Sequence, residues 1–364
     1  MRQNKQNQII FFFPDIQVGG VEKNFFIISK YLSKFFSHTY LISVNKLDKK
    51  IDKKIKLIRI SKFWFYLSRR FVFLICTLKL LFTSIKYKDA IIFSFQGNFY
   101  ALLISIILKR KIIVRSNLSP IGWHGSYLKI KVFKFLLSKA SVVIVNSSDF
   151  QKQMKQIFSI DTTKIFNPVN VNEIKNLSVY KNKISFFKKK TINLINVGRL
   201  VKQKNQIEIL LAFIKLKNFI KNYRLLIIGY GPDKLYLENF IKKNKLKKYV
   251  KIIFVNNSLK YIRMSDVYIS SSKYEGLPNT LLEAAHLNKY IISSNCKTGP
   301  SEIIKIYKNG ELYNTGNINE LYLKIKNLNK KKLLNQKTNF VKNLSVFDHK
   351  INLEKYLKTL LKIL

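Results

Sequence analysis

The sequence predicts an α/β chain built as two doubly wound domains that face one another across a cleft. Three observations carry this. Short apolar runs alternate with helical patterns throughout, the alternation breaks once near residue 170 and then restarts, and 364 residues are too many for one ordinary core. Alternation of this kind is what parallel strands covered on both faces by crossover helices produce.

The first rhythm gives strands over Ile9–Phe13, Thr39–Val44, Ala90–Phe95, Ile112–Arg115 and Val142–Asn146. The run from Ile9 is too short for the apolar core of an export signal and is ended by Pro14, so it reads as a first buried strand of an intracellular chain. After it, Val21, Phe25, Ile28, Leu32 and Phe36 recur at helical spacing. The segment Phe63–Ile85 is aromatic and aliphatic, yet Arg69, Arg70 and Lys79 divide it into pieces shorter than a bilayer span. Two readings of it stay open: a helix packed into the core, or an amphipathic helix whose apolar and basic faces lie in a membrane interface.

Residues 169–190 are polar, basic and weakly periodic and are expected to link a first domain, 1–168, to a second, 191–345. The second rhythm gives strands over Ile192–Val197, Arg224–Ile228, Val250–Phe254, Val267–Ser270 and Tyr290–Ser293, with helices over Gln206–Lys217 and Lys234–Lys243. Residues 346–364 close the chain with a helix, Lys350–Leu364, that can cross back to the first domain.

Lys and Arg number 67 against 19 Asp and Glu, a formal charge of +48. AT-rich coding accounts for abundant Lys, Asn, Ile and Phe but not for so few acids. The excess is diffuse, with 29 basic against 7 acidic residues over 1–170 and 38 against 12 over 171–364. A nucleic-acid binder concentrates its charge in a stripe or tail beside a recognisable module, and none is present, so nucleic acid is not an expected partner. An anionic membrane surface is, because each basic group close to the lipid gains about 1 kcal/mol. Cys76 and Cys296 are far apart and have neither metal-knuckle nor CxxC spacing, which makes them buried fillers in a reducing compartment.

In open parallel sheets ligands bind beyond the carboxyl ends of the strands. The loop after the first strand holds Gly19 and Gly20 just before a helix, a place where backbone can approach an anion at a helix N-terminus. A plain tight turn uses the same pair, and the full dinucleotide fingerprint is missing. A second loop, Val197–Asn205, contains Gly198, Arg199 and Lys204; an arginine fork and a mobile lysine charge suit a diphosphate, although each alone also suits a solvated surface. A third stretch, Ser270–Ala285, sets Glu275 on a strand-following loop and Glu283 in the helix beyond it. Between them Gly276, Leu277, Pro278, Asn279 and Thr280 bend the chain into that helix, giving amides for phosphate and carboxylates for sugar hydroxyls.

The acceptor side is read from Arg115, Asn117 and His124, after the Ile112–Arg115 strand. Arg115 is expected to meet an acceptor phosphate, and His124 to assist an acceptor hydroxyl as base, although a lone loop histidine is more often structural. His286 reads as packing. No cluster of acids suggests a metal, so no metal or other cofactor is expected.

With these motifs in this order, the chain resembles the family 4 glycosyltransferases of the GT-B fold, two facing Rossmann-like domains whose signature is a glutamate, seven residues and a second glutamate. The resemblance runs through the Gly-Gly loop, the Gly198-Arg199-Leu200 to Lys204 segment, Ile228-Gly229-Tyr230-Gly231-Pro232, Glu275 to Glu283 and Gly299-Pro300-Ser301-Glu302. It implies a retaining, metal-free transfer from a nucleotide sugar, expected to be UDP-linked, to a saccharide acceptor, expected to be lipid-linked. The setting it implies is bacterial surface polysaccharide or lipopolysaccharide synthesis, with the enzyme peripheral on the inner face of the cytoplasmic membrane. It further implies that Glu275 contacts the transferred sugar, Glu283 the donor ribose and Arg199 with Lys204 the diphosphate, which Gly20 approaches from the other domain.

Two departures stand out. Asn288-Lys289-Tyr290 replaces a common Gly-x-Pro, where Asn can still supply a left-handed helix end, and Phe254–Ser265, where relatives meet the donor base, is short. Two other readings remain open: a nucleotide-sugar hydrolase or epimerase of the same architecture, and a basic non-catalytic protein that binds membrane or nucleic acid.

Overall fold

The computed structural model describes residues 7–16, 19–44, 51–58, 60, 68–117, 127–179, 184–335 and 341–364. They form two compact units, Met1–Pro168 with His349–Leu364, and Val169–Asp348.

In chain order the first unit contains β1 (Gln8–Asp15), α1 (Gly20–Leu32), β2 (His38–Val44), β3 (Ile55–Ile58), α2 (Arg69–Lys86), β4 (Ile91–Ser94), α3 (Asn98–Ile107), β5 (Ile112–Arg115), α4 (Tyr127–Ser138), β6 (Val142–Val145), α5 (Ser148–Phe158) and β7 (Thr163–Lys164). Its seven strands are parallel in the order β3-β2-β1-β4-β5-β6-β7. The unbroken apolar run of β1 follows from burial on both faces. Ile10 and Phe12 join the core under α2, α3, α4 and α5, while Ile9, Phe11 and Phe13 join the core on the opposite face with Phe25 and Ile28 of α1.

The second unit contains α6 (Val171–Ser178), β8 (Ile192–Val197), α7 (Gln206–Lys215), a 3₁₀ turn (Lys217–Asn222), β9 (Tyr223–Ile228), α8 (Lys234–Lys243), β10 (Val250–Ile253), α9 (Leu259–Met264), β11 (Val267–Ser270), α10 (Asn279–His286), β12 (Tyr290–Ser294), α11 (Pro300–Tyr307), β13 (Gly310–Tyr313), α12 (Ile318–Lys326), α13 (Lys330–Asn335) and a second 3₁₀ turn (Val341–Phe347). Its six strands are parallel in the order β10-β9-β8-β11-β12-β13. The last helix, α14 (His349–Leu361), belongs to the first unit, where Leu353, Tyr356, Leu357 and Leu360 complete the core shared with α1.

The expected linker at 169–190 is part of the second unit and carries α6. Asn170 caps this helix by accepting the Glu173 amide at 3.1 Å, and Arg263 donates to the Ser178 hydroxyl at 3.1 Å. With only Ile174 and Ser178 buried, α6 leaves almost no periodic trace in the sequence. Val169 and Asp348 are bridge partners, and the Val169 amide donates to the Phe347 carbonyl at 3.0 Å, so both ends of this unit meet. No helix among the described residues is long and apolar enough to cross a membrane.

In each sheet the strand order reverses once, between β1 and β4 and between β8 and β11. Loops leaving the carboxyl ends of two such strands part in opposite directions and open a crevice, which is where the chemistry is to be sought.

Candidate active site at the strand-order reversal of the second unit

The loop after β8 and the loop after β11 meet at the reversal point. Lys204 from the first makes an ion pair with Glu275 Oε1 from the second, and only a fifth of the lysine side chain and less than a tenth of the glutamate are exposed. The Ser272 hydroxyl donates to the same Oε1 at 2.6 Å. No hydrogen bond of Oε2 occurs among the described residues, so that oxygen remains available to a ligand hydroxyl. Thr298, from the loop after β12, donates through Oγ1 to the Glu275 carbonyl and fixes the backbone.

Backbone contacts hold the two loops in register. The Lys273 amide donates to the Gln203 carbonyl at 2.8 Å, Gln203 Nε2 to the Tyr274 carbonyl at 2.8 Å, and Ser271 Oγ to the Lys204 carbonyl at 2.9 Å. The Leu200 amide donates to the Tyr230 carbonyl at 2.8 Å, linking the loop after β8 to that after β9. Gly229 is required there, since a Cβ on it would lie 1.9 Å from the Gly198 carbonyl oxygen. Gly299 has φ +82°, and a Cβ on it would lie 1.9 Å from the Gly276 oxygen. The Gly299-Pro300 segment is thus the floor under the Glu275 loop. By contrast Gly198 has no positive φ, and a Cβ there would make ordinary contact with Lys204, so the turn does not need this glycine.

Glu283 lies in α10, which begins at Asn279 after Pro278 at its N-cap. Both Glu275 and Glu283 are buried and act on one phenol, that of Tyr268. Burial first, with these two carboxylates adding to it, pushes Tyr268 far above its ordinary range, and the phenol donates to Thr280 Oγ1 at 2.7 Å. Gly276, Leu277 and Pro278 are buried, while Asn279 and Thr280 are half-buried at the positive end of the helix. Burial first, then the Glu275 charge, pushes the Cys296 thiol up to about 12, which leaves it inert.

Arg199 is exposed, and its side chain makes no hydrogen bond or ion pair among the described residues. It shares the loop of Lys204, and its carbonyl accepts from Gln206 Nε2 at 3.0 Å. Gly19 and Gly20, at the start of α1 in the first unit, are exposed, and Gly19 is extended at φ −178°. Neither glycine has a positive φ.

The acceptor-side expectation for Arg115 needs correction. It is wholly buried at the end of β5, donating from Nε to the Tyr356 hydroxyl at 2.8 Å, from one terminal nitrogen to Asn167 Oδ1 at 2.7 Å and from the other to Asn117 Oδ1. Its guanidinium lies 5.9 Å from the Phe95 ring centroid. Arg115 ties α14 to the first sheet and has no face for a phosphate. Asn117 is committed in the same way, donating to the Phe95 carbonyl at 2.7 Å. His124 lies outside the described residues.

Sequence reasoning missed Ser272, three residues before Glu275 in the same loop, Tyr268 on the strand before that loop, and Thr298, which reaches the Glu275 carbonyl from the loop after β12. Tyr230 and Phe254, read from the sequence only as members of longer segments, are exposed beyond β9 and β10 and packed edge to face at 5.4 Å. Among the described residues no group of three or more His, Cys, Asp or Glu side chains comes together. Asn288 adopts φ 56° after α10, the left-handed helix end expected of it.

The sequence profile described as "Glycosyl transferases group 1" matches residues 180–346, which include every element of the site just described. The chain is 31% identical over 252 residues to the capsular polysaccharide biosynthesis glycosyltransferase CapH of Staphylococcus aureus, covering 62% of this chain and 70% of that one. It is 27% identical over 267 residues to the N-acetylgalactosamine-N,N'-diacetylbacillosaminyl-diphospho-undecaprenol 4-alpha-N-acetylgalactosaminyltransferase of Campylobacter jejuni, covering 69% and 72%. Among solved structures, Anabaena HepE in complex with UDP and glucose aligns over 97% of this chain and 98% of its own with a TM-score of 0.77 at 18% identity, a likeness of fold.

Proposed function

The chain belongs to the group 1 glycosyl transferases, and from that premise we propose that it moves a sugar from a UDP-linked donor to a lipid-linked saccharide, with retention of anomeric configuration and without a metal. The observation that carries the reading is the shielded Lys204–Glu275 pair at the reversal of the second sheet. The UDP in HepE and the undecaprenol-linked substrate in the name of the Campylobacter relative support the choice of donor and acceptor. CapH, named for capsular polysaccharide biosynthesis, supports a place in surface polysaccharide assembly, which we place at the inner face of the cytoplasmic membrane.

In this mechanism the bond between the sugar's anomeric carbon and the diphosphate oxygen breaks, and an acceptor oxygen bonds to the same face of that carbon as its proton passes to the departing diphosphate. Negative charge grows on the departing diphosphate. Lys204, with two N–H groups beyond the one it gives Glu275, and the exposed Arg199 are the fixed cations that meet it. Glu275 Oε2 accepts a hydrogen bond from a sugar hydroxyl, Glu283 one from the ribose, and the helix terminus at Asn279 and Thr280 favours the phosphates. Gly19 and Gly20 present a second exposed helix terminus, on α1, suited to the same chemistry.

Thermal shift with UDP, GDP and their sugars tests the donor, because a ligand bound only by the folded state raises the melting point. UDP and a UDP-sugar are expected to stabilise, and failure of every nucleotide to do so would sink the proposal. Product that forms without acceptor would favour the hydrolase, and turnover abolished by EDTA would refute the metal-free mechanism.

A further inference from the structure

The helices covering one face of the first sheet have an outer side that the transferase chemistry does not use. On α2, Val72, Cys76 and Leu80 face the core, while Phe71, Leu74, Leu78, Phe82 and Ile85 are 54, 51, 47, 64 and 46% exposed. Their spacing of three and four residues keeps them on one stripe for about 20 Å of helix. Such a stripe presents on the order of 400–500 Å² of apolar surface, as much as the largest patch on a typical monomer.

Arg70 borders this stripe on one side and Lys79 with Lys86 on the other, all exposed. Beside α2 lies α3, and beside α3 lies α4, whose buried Leu136 and Leu137 enter the same core. The outward side of α4 carries Leu128, Val132 and Phe135 at 69, 40 and 56% exposure, among Lys129, Lys131 and Lys134. Because both helices bury their inner sides on one sheet face, their apolar stripes look away from it together. Neither helix contains an acidic residue.

We propose that α2 and α4 dock the first unit onto an anionic lipid bilayer. The α2 stripe enters the boundary between headgroups and acyl chains while the bordering Arg and Lys side chains meet lipid phosphates. Charge selects this occupant. A second copy would press the same acid-free, basic surface against it, and a neutral apolar partner would leave the border charges unmatched. The inference deepens the transferase reading, on which it rests for the purpose of the surface. Its test involves neither nucleotide nor acceptor, so the two can fail separately.

The full chain is sedimented with vesicles of phosphatidylcholine alone and with vesicles in which about a third of the lipid is phosphatidylglycerol. Binding to the anionic vesicles is expected to be at least about tenfold tighter and to weaken at about 0.5 M salt. Phe71→Ser with Phe82→Ser should lower it about tenfold or more with an unchanged melting curve, since both residues are already exposed. Arg70→Glu with Lys79→Glu should remove the anionic preference. Leu235→Ser with Tyr236→Ser, an exposed apolar pair on α8, should leave binding intact. The proposal is overturned if the chain does not prefer anionic vesicles, if the Phe71/Phe82 variant binds like the parent, or if the Leu235/Tyr236 variant weakens binding equally. Retention on an acidic polypeptide column with no vesicle binding would also overturn it.

Discussion

The two sheets share one plan, parallel strands with a single reversal of order, yet they use charge at the strand ends in opposite ways. At the second sheet's reversal, Lys204 and Glu275 come from two loops that meet, are shielded from bulk water and keep donors and an acceptor oxygen unspent. In the first unit Arg115, one strand over from the reversal, is wholly buried and gives three of its five N–H groups to Tyr356, Asn167 and Asn117. At that reversal itself Asp15 meets Arg69 at 3.5 Å with the arginine largely exposed, and the Asp15 amide donates to Gln96 at 2.9 Å. A charged residue at the end of a parallel strand is therefore not a site until its hydrogen-bonding capacity is counted.

That contrast can be broken most sharply at Glu275. Glu275→Gln is expected to lower transfer by roughly a thousandfold, about 4 kcal/mol of transition-state stabilisation, in a chain that still melts cooperatively. Near-parent turnover would move the chemistry elsewhere. Arg115→Met should do the reverse, lowering stability to urea by about 3 kcal/mol while activity per folded molecule is retained, because it orphans three polar partners. A selective rise in acceptor KM would restore the acceptor role for this residue.

His286, at the end of α10, gives a change of similar size through pH. Its ring is buried, and neither nitrogen has a hydrogen-bond partner among the described residues. Burial lowers its pKa from 6.5 to about 4, with Lys175 adding to the shift and Asp348 opposing it. Because the unfolded chain binds this proton more readily, the contribution is full above about pH 6.5 and is lost as pH falls toward 4, an effect of about 3 kcal/mol. Urea titrations across that window should show the loss, and His286→Phe should flatten it. The smallest effect belongs to Arg199→Ala, expected to raise donor KM about tenfold without changing the melting point, since the side chain is exposed and unengaged.

The strands most legible in the sequence are those buried on both faces, such as β1, where Phe11 and Phe12 point into opposite cores. The strands missed, β3, β7 and β13, all lie at sheet edges. An edge strand has one neighbour to satisfy and less apolar surface to bury, so Thr163–Lys164 or Gly310–Tyr313 leaves a faint pattern. At the site, residue type and spacing pointed to Lys204 and Glu275, because carboxylates and cations on strand-following loops are chemically conspicuous. Thr298 and the floor formed by Gly299 were illegible, since they lie on the loop after β12, which meets the Glu275 loop only in the fold, while Ser272, three residues from Glu275, is a residue type too common in loops to stand out. Arg115 was misread because Tyr356, which occupies it, lies 241 residues further along the chain.

The pairing of Val169 with Asp348 has an evolutionary corollary. The polypeptide enters and leaves its second unit through a single doorway, so residues 169–348 form a cassette whose removal asks the remainder to join only Pro168 to His349. A gene could exchange one such cassette for another while keeping the rest of the reading frame.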